Sequence, residues 1–145
     1  MSIRARVDDA LFLWQHGRQQ GAFLCALVAV AATSRRRFPD RKTFRDRQAF
    51  VSFLTGTLQV RLSVEYRGEC LPVEEILYEW VRCQLVHEGT LPIDIEFMAD
   101  PEPGVLALRA GGAPEFVLKV SEGWFRHLIG SVMTAAENSD QFSQE

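Results

Sequence analysis

The sequence predicts one α+β domain, predominantly a helical bundle of about five helices, with a small antiparallel β meander inserted before the last helix. Three observations lead there. Apolar residues recur at helical spacing through residues 5–57, 72–88 and 121–137. Residues 93–120 instead alternate apolar and polar between turn signals. The chain is 145 residues long with 47% hydrophobic and 24% charged residues, enough for one domain core and too short for two comfortable ones.

The first helix is read from Val7, Ala10, Leu11 and Trp14, which fall at i, i+3, i+4 and i+7, with Gly17 ending it. Residues 22–32, AFLCALVAVAA, are apolar nearly all round, the pattern of a central core helix, and Pro39 stops it. Eleven residues cannot cross a bilayer, which needs about 20. A third helix follows through Phe50, Val51, Phe53 and Leu54 and ends near Gly56. Leu58, Val60, Leu62, Val64 and Tyr66 then alternate with polar residues, a strand pattern that needs a partner.

Residues 71–89, LPVEEILYEWVRCQLVHEG, give the clearest helix. Pro72 suits its first turn, Glu74 and Glu75 complement the dipole, and Gly89 suits the C′ position. Val73, Ile76, Leu77, Trp80 and Val81 form its buried face. Beyond it, Ile93, Ile95 and Phe97 begin a strand, DPEPG and GGAP are turns, and VLALR and EFVLKV complete the meander. Ser121 is expected to cap the final helix, whose core stripe is Trp124, Phe125, Leu128, Ile129, Val132 and Met133. Residues 138–145 read as a frayed polar tail.

A net charge of −3 conceals an imbalance. Residues 1–67 carry twelve Lys/Arg against five Asp/Glu (+7), and residues 68–145 carry four against fourteen (−10). Either the halves fold together and cancel, or the surface serves a charged partner or self-association. Seven of the basic residues, Arg35, Arg36, Arg37, Arg41, Lys42, Arg45 and Arg47, crowd into residues 35–47. Such a run tracks an RNA phosphate backbone, or else solvates a loop beside a helix C-terminus, where cations are favoured anyway.

Cys25, Cys70 and Cys83 are odd in number and unpaired in spacing, and the start MSIRARVDDALFLW has acidic residues where a signal peptide needs its apolar stretch, so a cytoplasmic protein without membrane association is expected. No phosphate loop, nucleophile elbow or metal-ligand spacing is present in the sequence, and neither metal nor cofactor is expected. His16, before a helix-ending glycine, and His127, after Arg126, read as boundary or surface residues.

Arg82 and His87 remain, in RCQLVHEG at the end of the clearest helix. Read from the residues alone, Arg82 lies opposite the apolar face formed by Trp80 and Val73 and pairs with Glu79 at i, i+3, while His87 turns toward the apolar side. The stretch resembles the R-x4–6-H motif of HEPN domains, in a compact, mainly helical chain. The resemblance spans about residues 5–90 plus the final helix. It implies a helical bundle, often a metal-independent endoribonuclease of toxin–antitoxin or defence systems, active as a homodimer and in some systems paired with an antitoxin or operon partner. Arg82 and His87 would be its catalytic pair. The sequence departs from the family in one place: Cys83 stands where catalytic members usually carry Asn, Asp or His. A non-catalytic helical module that dimerises through the same helix is the rival expectation.

Overall fold

The computed structural model describes residues 2–58, 62–66, 69–86, 94–103, 105–111 and 117–142. Among them are five α-helices, one 3-10 turn and five short strands. The α+β, mostly helical class predicted from sequence is the class observed.

Helix α1, Ile3–Gln15, starts where the Ser2 hydroxyl accepts from the Ala5 N–H at 3.2 Å. It buries Ile3, Val7 and Ala10, and Trp14 stacks on Phe125 with ring centres 4.2 Å apart. Leu11, expected inside, is 37% exposed beside Phe12 at 60%. Gly17 breaks the helix at φ +74°, a backbone region that L side chains rarely adopt. Helix α2, Gln19–Arg37, is the central core helix. Its small residues Ala22, Ala26 and Ala29 are fully buried, letting neighbouring elements approach closely.

Helix α3, Asp46–Thr57, begins with the Gln48 side chain accepting from the Arg45 N–H at 2.9 Å, and contributes Phe50, Phe53 and Leu54 to the core. The alternating segment after it forms strand β1 at Ser63–Tyr66; residues 59–61 lie outside the described residues. Its partner is β2, Glu69–Pro72, in an antiparallel pair. Pro72 therefore ends a strand instead of opening a helix. Helix α4, Val73–Val86, follows at once. Its buried face is the one predicted, with Val73, Ile76, Leu77, Trp80 and Val81 all at most 3% exposed.

Strands β3 (Asp94–Met98), β4 (Leu108–Ala110) and β5 (Val117–Ser121) form a second sheet, but not a meander. The order is β3-β5-β4, with β5 parallel to β3 and antiparallel to β4. Burial explains the order. Strand β5 has two buried apolar side chains, Leu118 and Val120, against one, Ile95, in β3 and none in β4, and the central place covers both; Arg109 stays on the short edge strand β4.

Ser121 does not cap the last helix. It closes β5, fully buried, its hydroxyl accepting from the Ala107 N–H at 2.9 Å. Helix α5, Gly123–Thr134, is instead capped from a distance, the Asp100 carboxylate accepting from the Gly123 N–H at 2.7 Å and pairing with Arg126. Of the predicted stripe, Met133 is 43% exposed and the rest is buried.

Residues 136–142 are not frayed. A 3-10 turn, Ala136–Asn138, places Asn138 fully inside, donating to the Thr33 hydroxyl and the Val132 carbonyl, both at 2.9 Å. Gln141 accepts from the Arg4 N–H at 2.9 Å, tying the end of the chain to its start. Residues 143–145 lie outside the described residues.

Candidate functional site

A groove of about 440 Å3 runs between α2 and α4. Helical periodicity builds its α2 wall, since Val28, Ala31, Ala32 and Arg35 stand at i, i+3, i+4 and i+7. Tyr78, Val81 and Arg82 form the α4 wall by the same rule. Arg41 and Asp46, from the turn before α3 and its first residue, close one end. The floor is apolar and the rim carries three guanidiniums against one carboxylate.

Arg82 is exposed, as its helical position predicted. The expected partner Glu79 is taken by Arg47 of α3, which also sits over the Tyr78 ring at 5.1 Å. Among the described residues, Arg82 has no carboxylate partner. His87 lies outside the described residues, so the Arg82–His87 pair has no geometry to report.

The basic run divides by what each residue touches. Arg35 lines the groove, its Nη2 donating to the Phe44 carbonyl, while Nε and Nη1 are buried without a hydrogen-bond acceptor. Its Nε lies 3.4 Å from Asp46 Oδ1, and Arg41 Nη1 lies 3.5 Å from the same oxygen. Arg36 and Arg37 turn away to the docked C-terminal segment. Arg36 donates to Asn138 and pairs with Asp140 at 3.1 Å; Arg37 grips Glu137 through two hydrogen bonds and covers Phe53. Those guanidiniums hold the Glu137 and Asp140 carboxyls below the ordinary carboxylate range. Arg47 pairs with Glu75 and Glu79 across α4. Lys42 and Arg45 occupy the exposed turn into α3.

Sequence reasoning missed three parts of this arrangement. Tyr78 stands four residues before Arg82, a spacing that shares a helix face. Asp46 stands inside a run that the sequence presents as basic, with no local signal that sets it opposite Arg35 and Arg41. The stripe ending in Arg35 was hidden because the whole helix read as apolar.

A second depression, about 510 Å3, lies between α3 and α5 and contains Arg37, Thr57, Arg126, His127 and Ser131. Its groups are already committed. Thr57 donates its hydroxyl proton to the Leu54 carbonyl at 2.7 Å, and its oxygen lies 3.1 Å from His127 Nε2. Burial pushes the His127 pKa down. Both arginines of this depression hold carboxylates, Glu137 and Asp100.

Among the described residues, no group of three or more His, Cys, Asp or Glu is arranged to hold a metal ion, and no helix is long and apolar enough to cross a membrane. Cys25 and Cys70 are free thiols, and burial raises the pKa of Cys25. No curated protein and no solved structure matches the chain. A family model described as Rv1289 matches residues 2–145, and the chain belongs to the Rv1289 family.

Proposed function

We propose that the chain is a HEPN-like cytoplasmic protein that binds RNA in the α2–α4 groove and cleaves it there without a metal, as a homodimer that an antitoxin or operon partner controls. One observation carries the reading. Arg82, singled out by the motif, and Arg35 and Arg41, singled out by the basic run, are far apart in sequence and line one groove.

The chemistry of the groove suits a nucleotide chain. Guanidiniums recognise phosphate oxygens through paired, charge-assisted hydrogen bonds. The Val28, Ala31, Ala32 and Val81 floor offers an apolar bed to a ribose or base beside that phosphate. In the mechanism the resemblance implies, Arg82 holds the phosphate and stabilises the charge that develops on it. His87 takes the proton of the ribose 2′-hydroxyl, and the 2′-oxygen attacks the adjacent phosphorus as the P–O5′ bond breaks. The departing 5′-oxygen takes a proton from water, leaving a 2′,3′-cyclic phosphate and a 5′-hydroxyl end. DNA, without that hydroxyl, is left intact.

The rival, a non-catalytic helical interaction module, draws on a different observation. Arg36, Arg37 and Arg47 are all held by carboxylates of the chain's own C-terminal half. Incubating wild type, Arg82→Ala and His87→Ala with mixed-sequence RNA in EDTA separates the two. The proposal expects cyclic-phosphate products from wild type alone. Intact RNA in every reaction, with wild type binding none, leaves the interaction module.

A further inference from the structure

We infer that Asp46 is a resident counter-ion that occupies the phosphate seat of the α2–α4 groove and must swing aside for an anion to bind. The inference rests on the reading of that groove as an RNA site. It begins from a mismatch between charge and hydrogen bonding. A single Asp46 oxygen, Oδ1, faces both Arg35 Nε at 3.4 Å and Arg41 Nη1 at 3.5 Å. These distances give charge neutralisation. They exceed the roughly 2.7–2.9 Å of a directed guanidinium–carboxylate hydrogen bond. Arg35 Nε and Nη1 consequently remain buried donors without an acceptor, a costly state that a better-placed oxyanion relieves.

Arg35 itself is anchored. Its Nη2 is fixed on the Phe44 carbonyl, and its side chain is only 18% exposed. Asp46 is the loose member, with its side chain 62% exposed, and Arg41 is looser still at 74%. Carboxylate and arginine of such exposure are held together weakly, so they part easily. A phosphate brings several oxygens in a tetrahedral array where Asp46 offers one. It can therefore serve Arg35, Arg41 and Arg82 together, and Asp46 reaches no farther than the first two. The same carboxylate raises the threshold for anions that carry only one acceptor edge.

Asp46→Asn keeps the shape and the place in the first turn of α3 while removing the charge. Its binding of two probes, inorganic phosphate by NMR titration and a mixed-sequence 12-nucleotide RNA by fluorescence anisotropy, tests the inference, with circular dichroism melts confirming the fold. We expect both probes to bind roughly twofold to thirtyfold tighter than to wild type, the range set by the loss of two weak ion pairs. Adding Arg35→Gln to Asp46→Asn should erase the gain. Phosphate binding that tightens while RNA never binds keeps the counter-ion and removes the RNA reading. RNA binding that Asp46→Asn leaves unchanged or weakens keeps the RNA reading and overturns the counter-ion. Neither probe binding either protein overturns both.

Discussion

At the scale of single residues, the structure separates arginines that hold the fold from arginines that face the groove. Arg82 has no carboxylate partner among the described residues and stands exposed at the groove rim. Arg82→Ala should therefore shift stability by no more than about 0.5 kcal/mol. RNA affinity should fall about tenfold, the worth of roughly one charge-assisted hydrogen bond. Thermal melts and anisotropy titrations read the two effects separately. Arg36 is the opposite case, because it ties α2 to Asn138 and Asp140, so Arg36→Glu should lower the melting temperature whatever it does to RNA. His127 gives a pH signature. Burial lowers its folded pKa below the ordinary 6.5, so below that value the unfolded chain binds the proton more readily than the folded one. Its contribution is full above about pH 6.5 and is lost as the pH falls toward the lowered folded pKa. Urea melts of wild type and His127→Gln between pH 5 and 8 should show the acid-side slope shrink in the variant.

Elements show where the sequence was legible and where it was not. Helices α1 to α5 and the buried face of α4 follow from apolar residues three and four apart, a local signal that tertiary contacts only reinforce. The order β3-β5-β4 does not, because which strand takes the centre depends on how its inner face packs against the helices, and no local pattern encodes that. Ser121 misled for the same reason. Its hydroxyl has a local use as a cap and a distant one on Ala107, and the distant one holds. The cap it left vacant comes from Asp100, 23 residues earlier. Asp100→Ala should cost about 1 kcal/mol, the ordinary worth of a helix cap. Asn138 was hidden in a stretch polar enough to read as tail. With three hydrogen bonds inside the fold, Asn138→Ala should cost about 2–4 kcal/mol in a chemical denaturation series and leave Arg36 only its pair with Asp140. Of the candidate site, sequence supplied Arg82 and the run; the groove that unites them required the packing of α2 on α4, and His87 lies outside the described residues.

For the molecule as a whole, the opposed charges of the two halves meet through three arginines of the basic run. Arg36 with Asp140, Arg37 with Glu137, and Arg47 with Glu75 and Glu79 all join the basic N-terminal half to the acidic C-terminal half. In the groove, Arg35, Arg41 and Arg82 outnumber Asp46. A fragment of residues 1–67 should accordingly fail to fold, because α2 would lose the α4 and α5 surfaces that bury it; circular dichroism of the fragment reads this directly. In the proposed function the groove binds the RNA phosphate backbone through these three arginines. Its most direct test is the salt dependence of RNA affinity for wild type and for the triple variant Arg35→Gln, Arg41→Gln, Arg82→Gln. Three phosphate contacts on a single strand give a slope of log affinity against log salt of about −2 for wild type, and the triple variant should flatten it toward zero with most of the affinity lost. A triple variant that binds RNA with wild-type affinity and wild-type slope contradicts the account.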